Sequence, residues 1–267
     1  MVAKKTILIT GSTDGIGLRT AKKLAFSGHK ILLHGRNKSK LLEVAALLGR
    51  SCDSYVADLA KLDDITQMID QILDRYDHLD VVINNAGVLK APVTLTETGR
   101  DIRFEVNTIA PYLITQQLLR IMPRSGRVVN LSSAAQSPVD VLAMRSRCIM
   151  SDMMAYSQSK LAITIWSLEL SKLLPDGPVV VSVNPGSLLA TKMVREGFGI
   201  EGKDVNIGAD ILVKAALDDS FAGATGKYFD NDIGQFSLPN PAAFEQSQIS
   251  LVMSTLEAVE KSLISKN

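Results

Sequence analysis

Short, almost uniformly apolar runs recur along the chain, separated by longer segments in which apolar residues return every three or four positions. The apolar runs predict strands at TILIT (6–10), KILLH (30–34), SYVAD (54–58), LDVVIN (79–84), RVVNLS (127–132) and VVVSV (179–183), with a weaker seventh at KYF (227–229). The periodic segments predict helices near 15–28, 38–48, 61–76, 99–122, 152–174 and 207–217, and a C-terminal helix around 242–264. Strands without polar alternation are buried on both faces, which calls for a parallel sheet covered by helices. The strict β–α alternation points to an α/β doubly wound sheet of about seven strands. No repeat, low-complexity tract or linker divides residues 1–267, so one domain is expected.

Composition narrows the function. The 267 residues are 46% hydrophobic and carry a formal charge of +1, with Lys and Arg scattered, so nothing suggests a nucleic-acid partner. Cys52 and Cys148 stand apart from each other and from any His cluster, which argues against a metal site or a disulfide framework. His29, His34 and His78 read as surface or packing residues. No apolar run approaches the length of a membrane span, and MVAKKTILITGS enters the first strand directly, so a soluble, cytoplasmic protein without a membrane anchor is expected.

The turn after the first strand, ITGSTDGIGLRTAKKLA, spaces Gly11, Gly15 and Gly17 as G-x-x-x-G-x-G. Glycines there let the backbone approach a pyrophosphate, and the following helix N-terminus offers N–H groups and a positive dipole. At the end of the second strand, LLHGRNKSK holds Arg36 and no acid. An arginine at that place pairs with a 2′-phosphate where an acid would accept from a ribose hydroxyl, favouring NADP(H) over NAD(H). Asp14 in the loop weighs against a nearby phosphate, and Arg36 has the alternative of a solvated helix-cap residue.

In MMAYSQSKLAI, Tyr156 and Lys160 lie four apart on a predicted helix and share one face. That spacing is common, and a surface coincidence is its ordinary explanation. Pro111 inside FEVNTIAPYLITQQLL has no N–H for the carbonyl at i−4, which is Asn107; that carbonyl is therefore released from the helix and free to bind water.

Four further segments, ADLA (57–60), NNAG (84–87), NLSSA (130–134) and NPG (184–186), fall in order at the C-terminal ends of predicted strands, where open α/β sheets bind ligands. With TGSTDGIG and YSQSK they resemble the short-chain dehydrogenase/reductase family over residues 5 to 195, and GKYFD (226–230) with a helical tail looks like its retinol dehydrogenase-like branch. The resemblance implies a Rossmann fold and a catalytic set of Asn107, Ser133, Tyr156 and Lys160, with Ser132 directly beside Ser133. It assigns Gly11, Ser12, Thr13, Gly15, Ile16 and Gly17 to the cofactor, with Arg36 and Asn37 at the end of the second strand. Asp58 and Leu59 go to the adenine end, Asn85, Ala86 and Gly87 to the central channel, and Pro185, Gly186 and Thr191 to the nicotinamide. The family places three residues between Pro-Gly and that threonine, whereas PGSLLAT has four.

These residues suit carbonyl–alcohol chemistry. The cofactor carries hydride and the protein supplies a proton. A free phenol titrates near pH 10; a neighbouring ammonium and the positive ring of oxidised nicotinamide both favour phenolate, and a downward shift of about two to three pH units would correspond to roughly 3–4 kcal/mol in a site partly shielded from water. The family uses Ser133 to hold the substrate oxygen, Lys160 also to grip the nicotinamide ribose, and a water on Asn107 to relay protons. Residues 135–155, rich in Met, are either a lid over a small apolar substrate or an outer packing segment; 187–206 are a second candidate lid. The long helices offer a face for a homodimer or homotetramer. An NADP(H)-binding sensor, or a lyase or epimerase on the same scaffold, are the alternatives to an oxidoreductase.

Overall fold

The computed structural model describes residues 3–140, 142–146 and 150–264. Eight strands form one sheet in the order β3-β2-β1-β4-β5-β6-β7-β8. They are β1 (Thr6–Ile9), β2 (Lys30–Gly35), β3 (Cys52–Val56), β4 (Val81–Asn84), β5 (Arg127–Leu131), β6 (Val179–Asn184), β7 (Lys227–Asp230) and β8 (Gln235–Ser237). The first seven run parallel; β8 pairs antiparallel with β7. The strand order reverses between β1 and β4, and at such a switch point the loops diverge to leave a crevice.

Helices α1 (Gly15–Phe26), α2 (Lys38–Leu48) and α8 (Asn206–Leu217) cover one face, meeting Ile7, Ile9, Leu33 and Val183. The other face carries α3 (Leu62–Arg75), α5 (Ala110–Leu118), α6 (Asp152–Leu173) and α9 (Gln246–Ile264), packed on Leu8, Leu32, Val82 and Val128. The alternating strand residues thus feed two separate cores, which is why the strands show no regular alternation of apolar and polar positions.

Several expectations change. The helix predicted over 99–122 is broken: α4 (Ile102–Phe104) leads into a π-helical turn at Glu105–Ile109 before α5. Pro111 sits in the first turn of α5, where it withholds an N–H from the Asn107 carbonyl, and the widened turn fits the chain around that missing bond. The three-residue β8 lacks a strand-length apolar run. Residues 187–206 contain α7 (Lys192–Phe198), and α9 starts at Gln246 after a 3-10 turn.

Part of the segment after Ser133 packs on α9. Val139, Ala143 and Met144 are buried in the core with α9, and Val139 exchanges two backbone hydrogen bonds with the Gln248 side chain. The Arg145 guanidinium donates to Thr255 and Ser254. Residues 147–149, and with them Cys148, lie outside the described residues. The apolar sides of α5 and α6, offered above for a second subunit, pack within the chain on the sheet and α9. Among the described residues no helix is long and apolar enough to cross a membrane.

Candidate active site

A cleft of about 570 Å³ opens at the switch point, a size that suits a dinucleotide-scale ligand. Its floor is where the β1 and β4 loops cross. The Thr10 hydroxyl accepts from the Asn85 and Ala86 N–H groups at 3.0 Å each, and Asn85 Nδ2 donates to the Thr10 and Gly11 carbonyls. Gly11, at φ +65°, sits so close to this crossing that a Cβ would lie 2.9 Å from the Ala86 Cα.

Gly11, Thr13, Gly15 and Ile16 line the cleft from the first loop, and Asn85, Ala86 and Gly87 from the fourth strand's end. Gly17 does not line it: a Cβ there would meet the Gly11 carbonyl at 2.3 Å and Asn85 Nδ2 at 2.4 Å, so this glycine serves helix packing. Ser12 does not line it either. It is fully buried, with its N–H and hydroxyl donating to the His34 carbonyl and its Oγ accepting the His34 N–H, so its side chain is turned onto β2. Asp14 turns its carboxylate onto Gly15 N–H as the cap of α1 and pairs with Lys40 at 3.8 Å.

His34 is a cleft residue that pattern reading assigned to packing. Beside it Gly35 leaves room for Thr13; a Cβ would meet the Thr13 methyl at 2.6 Å. Arg36, Asn37 and Lys40 form the exposed end of the cleft, with Asn37 capping α2 through the Lys40 N–H. Asp58 and Leu59 line the same end.

At the opposite end stand Tyr156 and Lys160. α6 is capped by Ser151, whose hydroxyl accepts from Met154 N–H, and Tyr156 follows one turn in. The Lys160 Nζ is buried, donates to the Leu131 carbonyl at 2.7 Å and lies 5.6 Å from the Tyr156 ring centre. Burial pushes the Lys160 pKa down to about 7. Burial likewise raises Tyr156, against a lowering hydrogen bond to the Ser133 side chain. Burial thus acts on the phenol against the lowering expected from the lysine, and it disfavours the ammonium of Lys160 as well.

Ser132, and not Ser133, lines the cleft, but the two hydroxyls have different partners. Ser132 is buried, with its hydroxyl bonded to the Lys160 carbonyl and the Thr164 hydroxyl. Ser133 is the one that meets Tyr156; its Oγ accepts from Ala135 N–H, which leaves its own proton to give. Asn107 is fully buried, its amide accepting from Val88 N–H and donating to the Val88 carbonyl and the Ser159 hydroxyl. Gly87 lies beside both groups: a Cβ there would stand in ordinary contact, 3.4 Å from Asn107 Oδ1 and 3.6 Å from Lys160 Nζ.

Pro185 and Thr191 line the cleft, with Thr191 facing Gly15 and capping α7 through Val194 N–H. Gly186 does not line it. At φ +114° it turns the chain, near Leu189 and Ile207. The additional residue in PGSLLAT accompanies a left-handed Leu188 at φ +57°, with Ala190 N–H and the Leu188 carbonyl bonded to Lys203. The turn after β7 grips this loop: Asn231 donates to the Pro185 carbonyl, and the Asp232 carboxylate accepts from the Ser187 N–H and hydroxyl. From α7, Met193 also lines the cleft, near Gly87.

The short chain dehydrogenase model matches residues 5–198. The chain is 33% identical over 254 residues to retinol dehydrogenase 13 of Homo sapiens, covering 85% of this chain and 76% of that protein. In fold it superposes on an uncharacterized protein from Mycobacterium Paratuberculosis with a TM-score of 0.79 at 25% identity, over 97% of this chain and 94% of the other. The landomycin C-6 ketoreductase LanV, with bound NADP and rabelomycin, gives a TM-score of 0.68 at 29% identity, over 86% of this chain and 95% of the other.

Proposed function

The chain belongs to the short chain dehydrogenase family, in its retinol dehydrogenase-like branch, and from that premise we propose that it reduces an apolar ketone or aldehyde with NADPH, Tyr156 giving the proton. It is an oxidoreductase of the alcohol/carbonyl class. The observation that carries the acid is the buried meeting of Tyr156, Ser133 and Lys160 at one end of the cleft.

The cleft fits the cofactor. Left-handed Gly11 and Gly15 make a backbone cradle, and a Cβ at Gly35 would push on Thr13 beside it. Arg36 and Lys40 supply positive charge at its exposed end, the place for a 2′-phosphate. NADPH, when bound, supplies the hydride. The chain's residues do the rest. The Ser133 hydroxyl donates to the substrate oxygen and orients the carbonyl. Tyr156 transfers its phenolic proton to that oxygen as the alcohol forms. Lys160, charged below about pH 7, favours the phenolate left behind. Asn107 holds the Val88 wall and the start of the proton path to Lys160.

The test follows NADPH absorbance over a panel of ketones, aldehydes and quinones, with wild type beside Tyr156→Phe and NADH in parallel. Turnover with NADPH that is lost in the variant is expected. Cofactor binding without consumption on any substrate would replace the reductase reading by a binding role.

A further inference from the structure

We propose that Tyr228 is a positioning residue for Ser133, an inference that rests on the role given to Ser133 above. Ser132 N–H makes a ladder bond to Val183, and Ser133 lies one residue past it, where β5 no longer holds the chain. Its carbonyl is instead held from outside the strand. The Tyr228 hydroxyl, on buried β7, donates to it at 3.1 Å, and Gln136 Nε2 donates at 2.9 Å.

The register explains the reach. Tyr228 lies opposite Ser182 on β6, and β6 lies between β7 and β5, so the phenol extends past β6 to the end of β5. Gln136 is itself anchored by Asn240, whose N–H and Nδ2 donate to its side-chain and main-chain oxygens. Burial and the nearby Asp230 and Asp232 keep Tyr228 protonated, hence a donor at every working pH. Two donors on one carbonyl fix the peptide plane from which the Ser133 hydroxyl points at Tyr156. Small misplacements of such a group are costly in rate. No sequence pattern links the two residues, which are 95 apart.

The experiment is a double-mutant cycle with Tyr228→Phe, Ser133→Ala and the double variant, reading kcat, KM and NADPH affinity by fluorescence. Tyr228→Phe removes one hydroxyl and keeps the ring that fills the core. A loss of about 3- to 10-fold in kcat is expected, with NADPH affinity unchanged. In the Ser133→Ala background the same change is expected to be silent. An unchanged kcat in Tyr228→Phe, or an equal loss in both backgrounds, overturns the inference while leaving Ser133 its role. If Ser133→Ala turns over like wild type, the role of Ser133 fails and the inference falls with it.

Discussion

The Nδ1 of His34 accepts the Gly11 N–H at 3.0 Å while its Nε2 lies 3.1 Å from the Ala57 carbonyl. A carbonyl only accepts, so the proton of the neutral ring sits on Nε2. One imidazole thus ties the glycine loop, β2 and the end of β3 together on the wall of the cleft.

That ring carries a pH signature. Burial pushes its pKa down to about 4, against raising contributions from the Ala57 bond and Asp58. The unfolded chain titrates near 6.5 and takes the proton first, so stability is full above that pH and is lost as pH falls toward 4. Between pH 7 and 5 this group accounts for about 2 kcal/mol. Urea unfolding at the two pH values should show this loss in wild type and a smaller one in His34→Leu. The same variant should weaken NADPH binding by about 3- to 10-fold through the loosened loop. An identical acid loss in both proteins would remove His34 from this role.

Lys160 should oppose stability. Its folded pKa, about 7, lies below the usual lysine value because burial disfavours the ammonium. The unfolded chain therefore binds the proton more tightly, and stability rises with pH from about 7 toward 10.5. Lys160→Met should lose reductase activity yet raise the melting temperature relative to wild type, with a larger gain at pH 6 than at pH 9. A melting temperature below wild type at pH 6 would mean that the bond to the Leu131 carbonyl outweighs the burial of charge.

Arg36 should decide the nucleotide. It is an exposed cleft residue, and a guanidinium there rewards a 2′-phosphate. Arg36→Glu is expected to weaken NADPH by about tenfold or more, roughly 1.4 kcal/mol or above, while NADH changes by less than about threefold. Equal losses for the two cofactors in a binding titration would contradict the assignment.

Arg103 should anchor the site's frame. Its buried guanidinium donates to Asp101 Oδ2 and Asp152 Oδ1 at 2.6 Å each, and to the Leu89 carbonyl at 3.4 Å. It joins the segment before Asn107, the first turn of α6 and the cleft wall. Arg103→Met strands the buried Asp101 carboxylate and is expected to cost about 3–5 kcal/mol in chemical unfolding. Asp152→Asn should cost far less, since that carboxylate is 41% exposed. A loss below about 1 kcal/mol for Arg103→Met would show the network to be dispensable.

Much of this architecture is written in local patterns. Apolar runs and helical periods mark seven strands and most helices because a strand's burial and a helix's face repeat within a few residues. The glycine turn after β1 and the shared face of Tyr156 and Lys160 are legible for the same reason. Pro111 exposes the break at Asn107, since a missing N–H is a property of one residue.

Tertiary structure alone decided the rest. Ser132 and Ser133 are adjacent and chemically alike; only the packing of α6 buries one hydroxyl against Thr164 and leaves the other for Tyr156. Gly17 and Gly11 share one motif, yet one packs a helix and the other borders the cleft. His34, Tyr228 and Asp232 acquire their partners across 23 to 95 residues of sequence. The direction of the Tyr156 shift also lies beyond sequence. A lysine four residues away foretells attraction, but burial depth sets the desolvation that opposes it, and burial belongs to the whole fold.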